Sequence, residues 1–183
     1  MLKNCLIVVG CSISLISASA FAENKAAKEE RSGYYAEAAY VLTDSKDTFT
    51  GYIWKPALAR ITFGKEVSEN WAVEGFITQG INSVTVNDGS KVKQNSGYGI
   101  AVRPFIKVID EIELYGRVGW VRYKETYYGT SLEWTYGLYF WSIGAAYKIT
   151  DNLSATIDYS KLQNKAEYFL EASNTAVGVR YRF

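Results

Sequence analysis

The sequence predicts an all-β chain that folds as an eight-stranded antiparallel up-and-down transmembrane β-barrel. Three observations predict it: alternation in the last ten residues, similar segments at regular spacing, and charged side chains that sort mainly to one phase of the segments. In residues 174–183, one face carries valines and aromatic residues up to Phe183, whereas the other carries Arg180 and Arg182 among small residues. A period of two indicates a β-strand. An apolar face opposite a polar one is typical of a strand between lipid and a lumen.

The amino terminus predicts export. Lys3 precedes an apolar run at residues 5–16, and residues 17–22 then offer a small-x-small cleavage site. This order of a basic residue, an apolar run and a cleavage site is that of a secretory signal peptide. We therefore expect residues 1–22 to be removed by cleavage after about Ala22.

Both cysteines of the chain, Cys5 and Cys11, lie inside this predicted signal peptide. An alternative reading treats Cys11 as the acylated first residue of a lipoprotein. The apolar run before Cys11 is short for that reading, and a second apolar run follows it. With cleavage after Ala22, the mature chain has no disulfide, and its fold depends on the strand network.

Composition agrees with a strand-rich membrane protein. The chain has 20 Lys and Arg against 19 Asp and Glu, and removing Lys3 with the signal peptide leaves 19 against 19. A neutral chain argues against nucleic-acid binding, which normally requires a basic excess. The 15 Tyr, 8 Phe and 5 Trp with only 2 Pro favour strands. The longest apolar stretch, residues 134–147, is too short for a membrane helix, so a membrane-spanning form has to be a barrel.

The elements follow in order along the chain. Residues 23–32 predict a polar leader on the periplasmic side, and residues 33–183 predict the barrel. The predicted strands are residues 33–42, 57–64, 71–81, 97–106, 112–123, 135–149, 153–160 and 174–183. Short turns alternate with long connections at residues 43–56, 82–96, 124–134 and 161–173. An even strand number with this alternation places the short turns in the periplasm and the long loops outside.

Alternate residues of each predicted strand point to opposite faces, one outward and one inward. The outward phase is mainly apolar and aromatic, as at Leu114, Val118 and Trp120, whereas nine acids and bases of the strands fall on the inward phase. The inward charged residues are Glu37, Arg60, Glu74, Arg103, Glu113, Arg117, Asp158, Arg180 and Arg182. Because eight strands enclose a space that side chains can fill, we expect these residues to form a hydrogen-bonded lumen ion network. The opposite phasing, with an apolar interior, would be needed for a soluble lipocalin-like barrel.

Two segments carry a family resemblance. Residues 147–154, Tyr-Lys-Ile-Thr-Asp-Asn-Leu-Ser, and residues 177–183, Val-Gly-Val-Arg-Tyr-Arg-Phe, resemble the outer-membrane β-barrel domain superfamily. That group includes the transmembrane domain of outer-membrane protein A, outer-membrane protein X and the opacity proteins. The resemblance implies the outer membrane of a Gram-negative bacterium. It also implies that the barrel-assembly machinery reads the terminal strand, which assigns the assembly signal to Tyr181 and Phe183.

Enzymatic function is not expected. The resemblance implies that an outer-membrane barrel of this size that modifies lipid or cleaves protein would use a histidine in its active site. This chain has no histidine. The usual general base at neutral pH is therefore missing, which disfavours the lipid-modifying alternative. Without histidine or mature cysteine, only oxygen ligands remain for a metal, and no calcium-loop pattern is present. We expect no catalytic residue, cofactor or metal.

Two functional readings remain open. In the first, the barrel is a surface or structural protein, a monomer whose outer loops bind host or envelope proteins, with outer-membrane lipid and lipopolysaccharide as its surroundings. Candidate loop contacts are Tyr52, Trp54, Lys91, Lys93, Tyr127, Tyr128, Trp134, Tyr168 and Phe169. The plainer reading makes these aromatics an interfacial girdle and the lysines solubilising groups. In the second, the lumen is a narrow diffusion pore gated by the ion network, although a network that only fills the lumen is the commoner arrangement.

Overall fold

The computed structural model describes residues 33–47, 53–85, 91–128, 132–163 and 170–183. The predicted signal peptide and leader lie outside the described residues, as do Tyr52, Tyr168 and Phe169. The described part contains β1 (Tyr34–Asp47), β2 (Ile53–Trp54), β3 (Ala57–Ser68), β4 (Trp71–Gly80), β5 (Val84–Thr85), β6 (Lys91–Lys107), β7 (Ile112–Tyr128), β8 (Leu132–Lys148), β9 (Leu153–Gln163) and β10 (Leu170–Arg182). No helix in these described ranges has the length and apolar content to cross a membrane.

Eight long strands close into a barrel. They pair antiparallel in the order β10, β9, β8, β7, β6, β4, β3, β1, and β1 pairs again with β10 to close the ring. Two further strands have only two residues each: β2 pairs with β1, and β5 pairs with β6. The predicted eight-stranded antiparallel up-and-down barrel is thereby confirmed. Closure satisfies the backbone groups of both terminal strands, which an open sheet would leave exposed to lipid.

The two ends of the barrel differ. One end, here the turn end, holds Gly33, Phe183 and the short connections at residues 69–70, 108–111 and 149–152. Asn70 fixes the first of these by donating from its side chain to the Phe105 carbonyl at 3.1 Å, while its own carbonyl accepts from the Phe105 amide at 2.9 Å. Gly33 has a φ of 69°, which favours glycine, and its carbonyl accepts from the Glu66 amide at 2.7 Å. The opposite end, here the loop end, holds the remaining connections.

Several strands extend further at the loop end than predicted. β6 begins at Lys91 rather than residue 97, β7 continues to Tyr128, and β8 begins at Leu132. The predicted boundaries are wrong here because they follow the apolar outward residues, which stop at the membrane edge. Backbone pairing continues beyond that edge, since each strand still has an antiparallel partner. Inward side chains such as Gln94 and Glu125 continue the alternation and are buried.

The outer face is apolar between two aromatic belts. On β8, for example, the outward residues Tyr139, Trp141, Ile143 and Tyr147 are all exposed to the surroundings. The belt near the turn end contains Tyr34, Phe63, Trp71, Tyr147, Tyr181 and Phe183, and the belt toward the loop end contains Tyr40, Tyr98, Trp120, Tyr139 and Tyr159. Exposed apolar side chains in a continuous band between aromatic girdles indicate a surface in contact with lipid.

Candidate functional site

The lumen brings the nine predicted charged residues together, with Glu37 of β1 in a central position. Glu37 accepts from Arg180 Nη2 at 2.9 Å, Arg117 Nη2 at 3.0 Å and Arg60 Nη2 at 3.1 Å. The register explains two of these contacts: Glu37 pairs directly with Arg180 across β1 and β10, and Arg60 of β3 pairs with the next inward residue of β1, Ala39. One buried carboxylate thus joins three strands besides its own.

Arg117 of β7 crosses the lumen to reach acids on three other strands. Its Nε donates to Glu74 Oε2 at 2.6 Å, and its Nη1 donates to Asp158 Oδ2 at 2.9 Å, in addition to the contact with Glu37. Asp158 also accepts from Arg60 Nη2 at 2.6 Å. Guanidinium groups suit this role because their five donors lie in a fixed plane and can engage several carboxylates at once.

Glu113 of β7 organises the part of the network nearest the turn end. It is paired with Arg103, with Arg180 Nη1 at 2.9 Å and with Arg182 Nη2 at 2.7 Å. Arg182 also contacts Glu66 Oε1 at 3.0 Å. Glu66 is a network member that the sequence reasoning missed, because the predicted turn began at residue 65 whereas β3 continues to Ser68.

The network is neutral and mostly buried. Glu37, Glu74, Glu113 and Asp158 face Arg60, Arg103, Arg117 and Arg180, four charges of each sign, and the half-buried pair of Arg182 and Glu66 adds one of each. Such a group is costly to desolvate, and it is tolerated because every charge has close partners of opposite sign. Removing one member would leave an uncompensated charge buried in the lumen.

Aromatic rings lie against the guanidinium groups. The Tyr115 ring centre is 4.4 Å from Arg103 Cζ, 4.7 Å from Arg117 Cζ and 5.0 Å from Arg180 Cζ. Tyr35 donates from its hydroxyl to Glu74 Oε1 at 2.6 Å. Cations over ring faces are stabilised by the ring quadrupole. Sequence reasoning did not assign Tyr35 and Tyr115, although each occupies the inward phase two residues from a charged member of the network.

An apolar layer fills the lumen on the loop-end side of the ion network. Its members are buried inward side chains that include Val41, Leu58, Val121, Leu138, Phe140 and Leu162. Phe76 packs edge-on against Phe140 with ring centres 5.6 Å apart. The space between this layer and the ion network is about 20 Å³, roughly the room for one water molecule. Within the described residues, the charged layer and the apolar layer leave little free space between them.

The apolar layer was also missed in the sequence. The inward phase was read as charged and small residues only, yet Val121 lies four residues after Arg117 and Leu162 four residues after Asp158, each in phase with the network. Extending the phase of the charged residues along each strand would have found the layer.

The loop end carries the predicted contact residues and a polar rim. Trp54 lies in β2 and Lys91 and Lys93 lie in β6. Tyr127, Tyr128 and Trp134, predicted in a loop, belong to β7 and β8. Inside the rim, the Tyr136 hydroxyl donates to the buried Glu125 Oε1 at 2.5 Å. Within the described ranges, no group of three or more acidic side chains is arranged to hold a metal ion.

Comparison with known families assigns this architecture. The model of the outer membrane protein beta-barrel domain matches residues 11–183. The chain belongs to this family. Its members are outer-membrane barrels of Gram-negative bacteria, in agreement with the apolar outer band described above. A comparison with curated protein sequences finds no significant match.

Solved structures share the fold at low sequence identity. The attachment invasion locus protein Ail of Yersinia pestis, in complex with the heparin analogue sucrose octasulfate, is 17% identical over 82% of this chain and 97% of its own, with a TM-score of 0.62. Neisserial surface protein A is 17% identical over 85% of this chain and 100% of its own, with a TM-score of 0.61. OprG from Pseudomonas aeruginosa is 11% identical over 84% and 97%, with a TM-score of 0.59. At these identities the comparison establishes the fold.

Proposed function

We propose that this chain is a non-conducting, non-enzymatic outer-membrane barrel that serves as a rigid platform for contacts made at its loop end. The observation that carries the proposal is the closed lumen. A neutral layer of buried ion pairs and an apolar layer lie in series, with about 20 Å³ between them. An ion crossing the barrel would have to separate the charge pairs and also pass dehydrated through the apolar layer. The narrow diffusion pore, the second candidate, requires both layers to open.

The state of the lumen carboxylates supports a non-enzymatic role. Glu37, Glu74, Glu113 and Asp158 are each paired with at least one arginine. A carboxylate whose oxygens already accept hydrogen bonds from guanidinium groups has little capacity left to engage a substrate. Among the described residues, the cavity beside Glu74 in the lumen is about 20 Å³, too small for a substrate.

The loop end is the face suited to adhesion or to host or envelope contacts. β6, β7 and β8 continue past the lipid-facing band as a paired sheet, so residues such as Lys91 and Lys93 stand on a rigid support. Recognition commonly resides on loops held by a rigid scaffold. That a related fold, Ail, was solved with a heparin analogue supports ligand contact on such barrels. In this orientation the turn end faces the periplasm and the barrel acts as a monomer in lipid and lipopolysaccharide.

Conductance tests the closed lumen. We expect the refolded barrel to insert into planar bilayers without unitary current steps, because neither layer has a continuous water path. Insertion is verified by the heat-modifiable gel shift of the same preparation. Reproducible steps whose size changes in Glu74→Ala or Arg103→Ala would instead make the ion network the gate of a pore.

The last strand tests the assembly proposal, in which residues 1–22 direct export and the barrel-assembly machinery reads Tyr181 and Phe183. These rings face outward and pack at 5.3 Å between centres. We expect the double variant Tyr181→Ser, Phe183→Ser to fall by roughly tenfold in outer-membrane level. Tyr147→Ser is the matched control, since Tyr147 is an outward aromatic of the same belt on β8. Equal losses in the two variants would assign these rings to the girdle alone.

A further inference from the structure

Four cations occupy consecutive outward positions where β6 and β7 rise above the lipid-facing band. They are Lys91, Lys93, Arg122 and Lys124, here the basic ladder. The register places them on four successive outward rungs, two from β7 and then two from β6: Arg122 pairs with Tyr98, Lys124 with Ser96, Lys93 with Thr126, and Lys91 with Tyr128. Lys124 contacts Glu133 Oε2 at 2.8 Å. Within the described part of the chain, Lys91, Lys93 and Arg122 have no acidic partner.

An aromatic pair marks the level of the membrane surface directly below the basic ladder. Tyr98 and Trp120 pack edge-on with ring centres 6.3 Å apart. The Trp120 indole lies across β8 at Gly137, where a Cβ would come within 2.8 Å of its Nε1. Below this pair the outward residues are apolar, such as Ile100 and Val118. Tyr and Trp at such a boundary lie at headgroup depth, so the basic ladder stands at the level of lipid phosphates.

An apolar groove leads up to the same aromatic pair. It has a volume of about 810 Å³ and extends from Tyr34 near the turn end to Trp120 and Tyr139. Gly75 forms part of its floor, and a Cβ built there would contact nothing within 4 Å. The neighbouring outward residues Phe63 and Ile100 are large, so the missing side chain at Gly75 leaves a depression between them. We call this depression the acyl groove.

We propose that the basic ladder and the acyl groove together bind one phosphorylated lipid of the outer leaflet, the lipid A part of lipopolysaccharide. Its phosphate would lie against Arg122 and Lys93 and one acyl chain would lie in the groove. Lysine and arginine bind phosphate by charge-assisted hydrogen bonds. The inference rests on the membrane placement of the proposed function and adds a ligand and a site to it. A sulfated glycan suits the site less, because the cations face sideways above a hydrocarbon surface rather than toward the loop tips.

Lipid titration tests the phosphate half of the site. The refolded barrel in phosphatidylcholine nanodiscs is titrated with fluorescent diphosphoryl lipid A, and the dissociation constant is compared between variants. Lys93→Ser, Arg122→Ser should weaken binding by roughly thirtyfold, since each basic residue near an anionic surface contributes about fivefold. The control Lys46→Ser, Lys161→Ser removes two exposed outward cations of β1 and β9 and should change binding by less than about twofold.

The acyl groove is tested with a separate variant, and the role of the lipid phosphates is tested with a control lipid. Gly75→Leu places a side chain in the depression, where a Cβ contacts nothing within 4 Å, and should weaken binding while leaving its salt dependence unchanged. Lipid A without phosphates should bind weakly and lose its sensitivity to the basic ladder. The proposal would be overturned if dephosphorylated lipid A bound as tightly as diphosphoryl lipid A. It would also be overturned if the ladder variant and the control variant lost the same affinity, or if a heparin fragment bound the basic ladder and lipid A did not. Folding of each variant is checked by gel shift, and conductance of the wild-type barrel reports separately on the proposed function.

Discussion

Replacing Glu37 by glutamine is expected to lower the free energy of unfolding by about 3–5 kcal/mol, the cost of breaking a buried ion pair by removing one partner. Glu37 accepts hydrogen bonds from Arg60, Arg117 and Arg180, and all of these groups lie inside the barrel. Glutamine keeps the volume but loses the charge, so the four buried arginines would face three buried acids. The resulting positive charge is buried and is therefore screened only weakly.

The measurement is equilibrium unfolding by urea or guanidinium in short-chain phosphatidylcholine vesicles, followed by tryptophan fluorescence and by the gel shift. Glu66→Gln is the matched control, because Glu66 contacts only Arg182 in the network and both side chains are partly exposed. An exposed pair of this kind contributes about 0–1 kcal/mol. Equal destabilisation by the two substitutions would mean that the network is solvated and that the lumen is open to water.

Alternation in the sequence can assign a lumen residue to one face of its strand, but it cannot assign the residue's position along the barrel axis or its partners. Alternation placed Glu37, Arg60 and Arg180 on one side, which is a local property of each segment. Which of them meet depends on strand stagger and on closure between β1 and β10, where Glu37 and Arg180 are 143 positions apart in sequence. That register is set by the whole ring rather than by any one strand. The ion pairs could therefore be expected as a group but not assigned one by one.

The apolar layer shows a different limit. The sequence predicts a polar inward phase because nine charged residues fall on it when each strand is phased by itself. Phe76 and Phe140 break this pattern, and they do so because a narrow lumen has to be filled to native density wherever charged side chains do not reach. The predicted strand boundaries at the loop end were wrong for a related reason. Apolar outward residues indicate contact with lipid, whereas two strands can also pair outside the lipid.

Ile143→Arg is expected to destabilise the barrel by about 2–4 kcal/mol, the cost of arginine on the lipid face near the bilayer midplane. Ile143 is 62% exposed and lies four residues from Tyr139 and four residues from Tyr147 on the same outward column of β8. It therefore stands midway between the two aromatic belts. Thr135→Arg is the matched control, since Thr135 is exposed on the same column four residues beyond Tyr139, on the loop-end side.

The two variants are compared by unfolding in the same vesicles, and Thr135→Arg should cost about 0–1 kcal/mol because its position is interfacial or aqueous. A depth-dependent difference would locate the lipid-facing band between the belts and would place Arg122 and Lys93 above it, as the lipid A site requires. Equal costs at both positions would mean that the band does not end at Tyr139. The basic ladder would then lie within the hydrocarbon region, where unpaired cations are not tolerated, and both the membrane placement and the lipid site would have to be revised together.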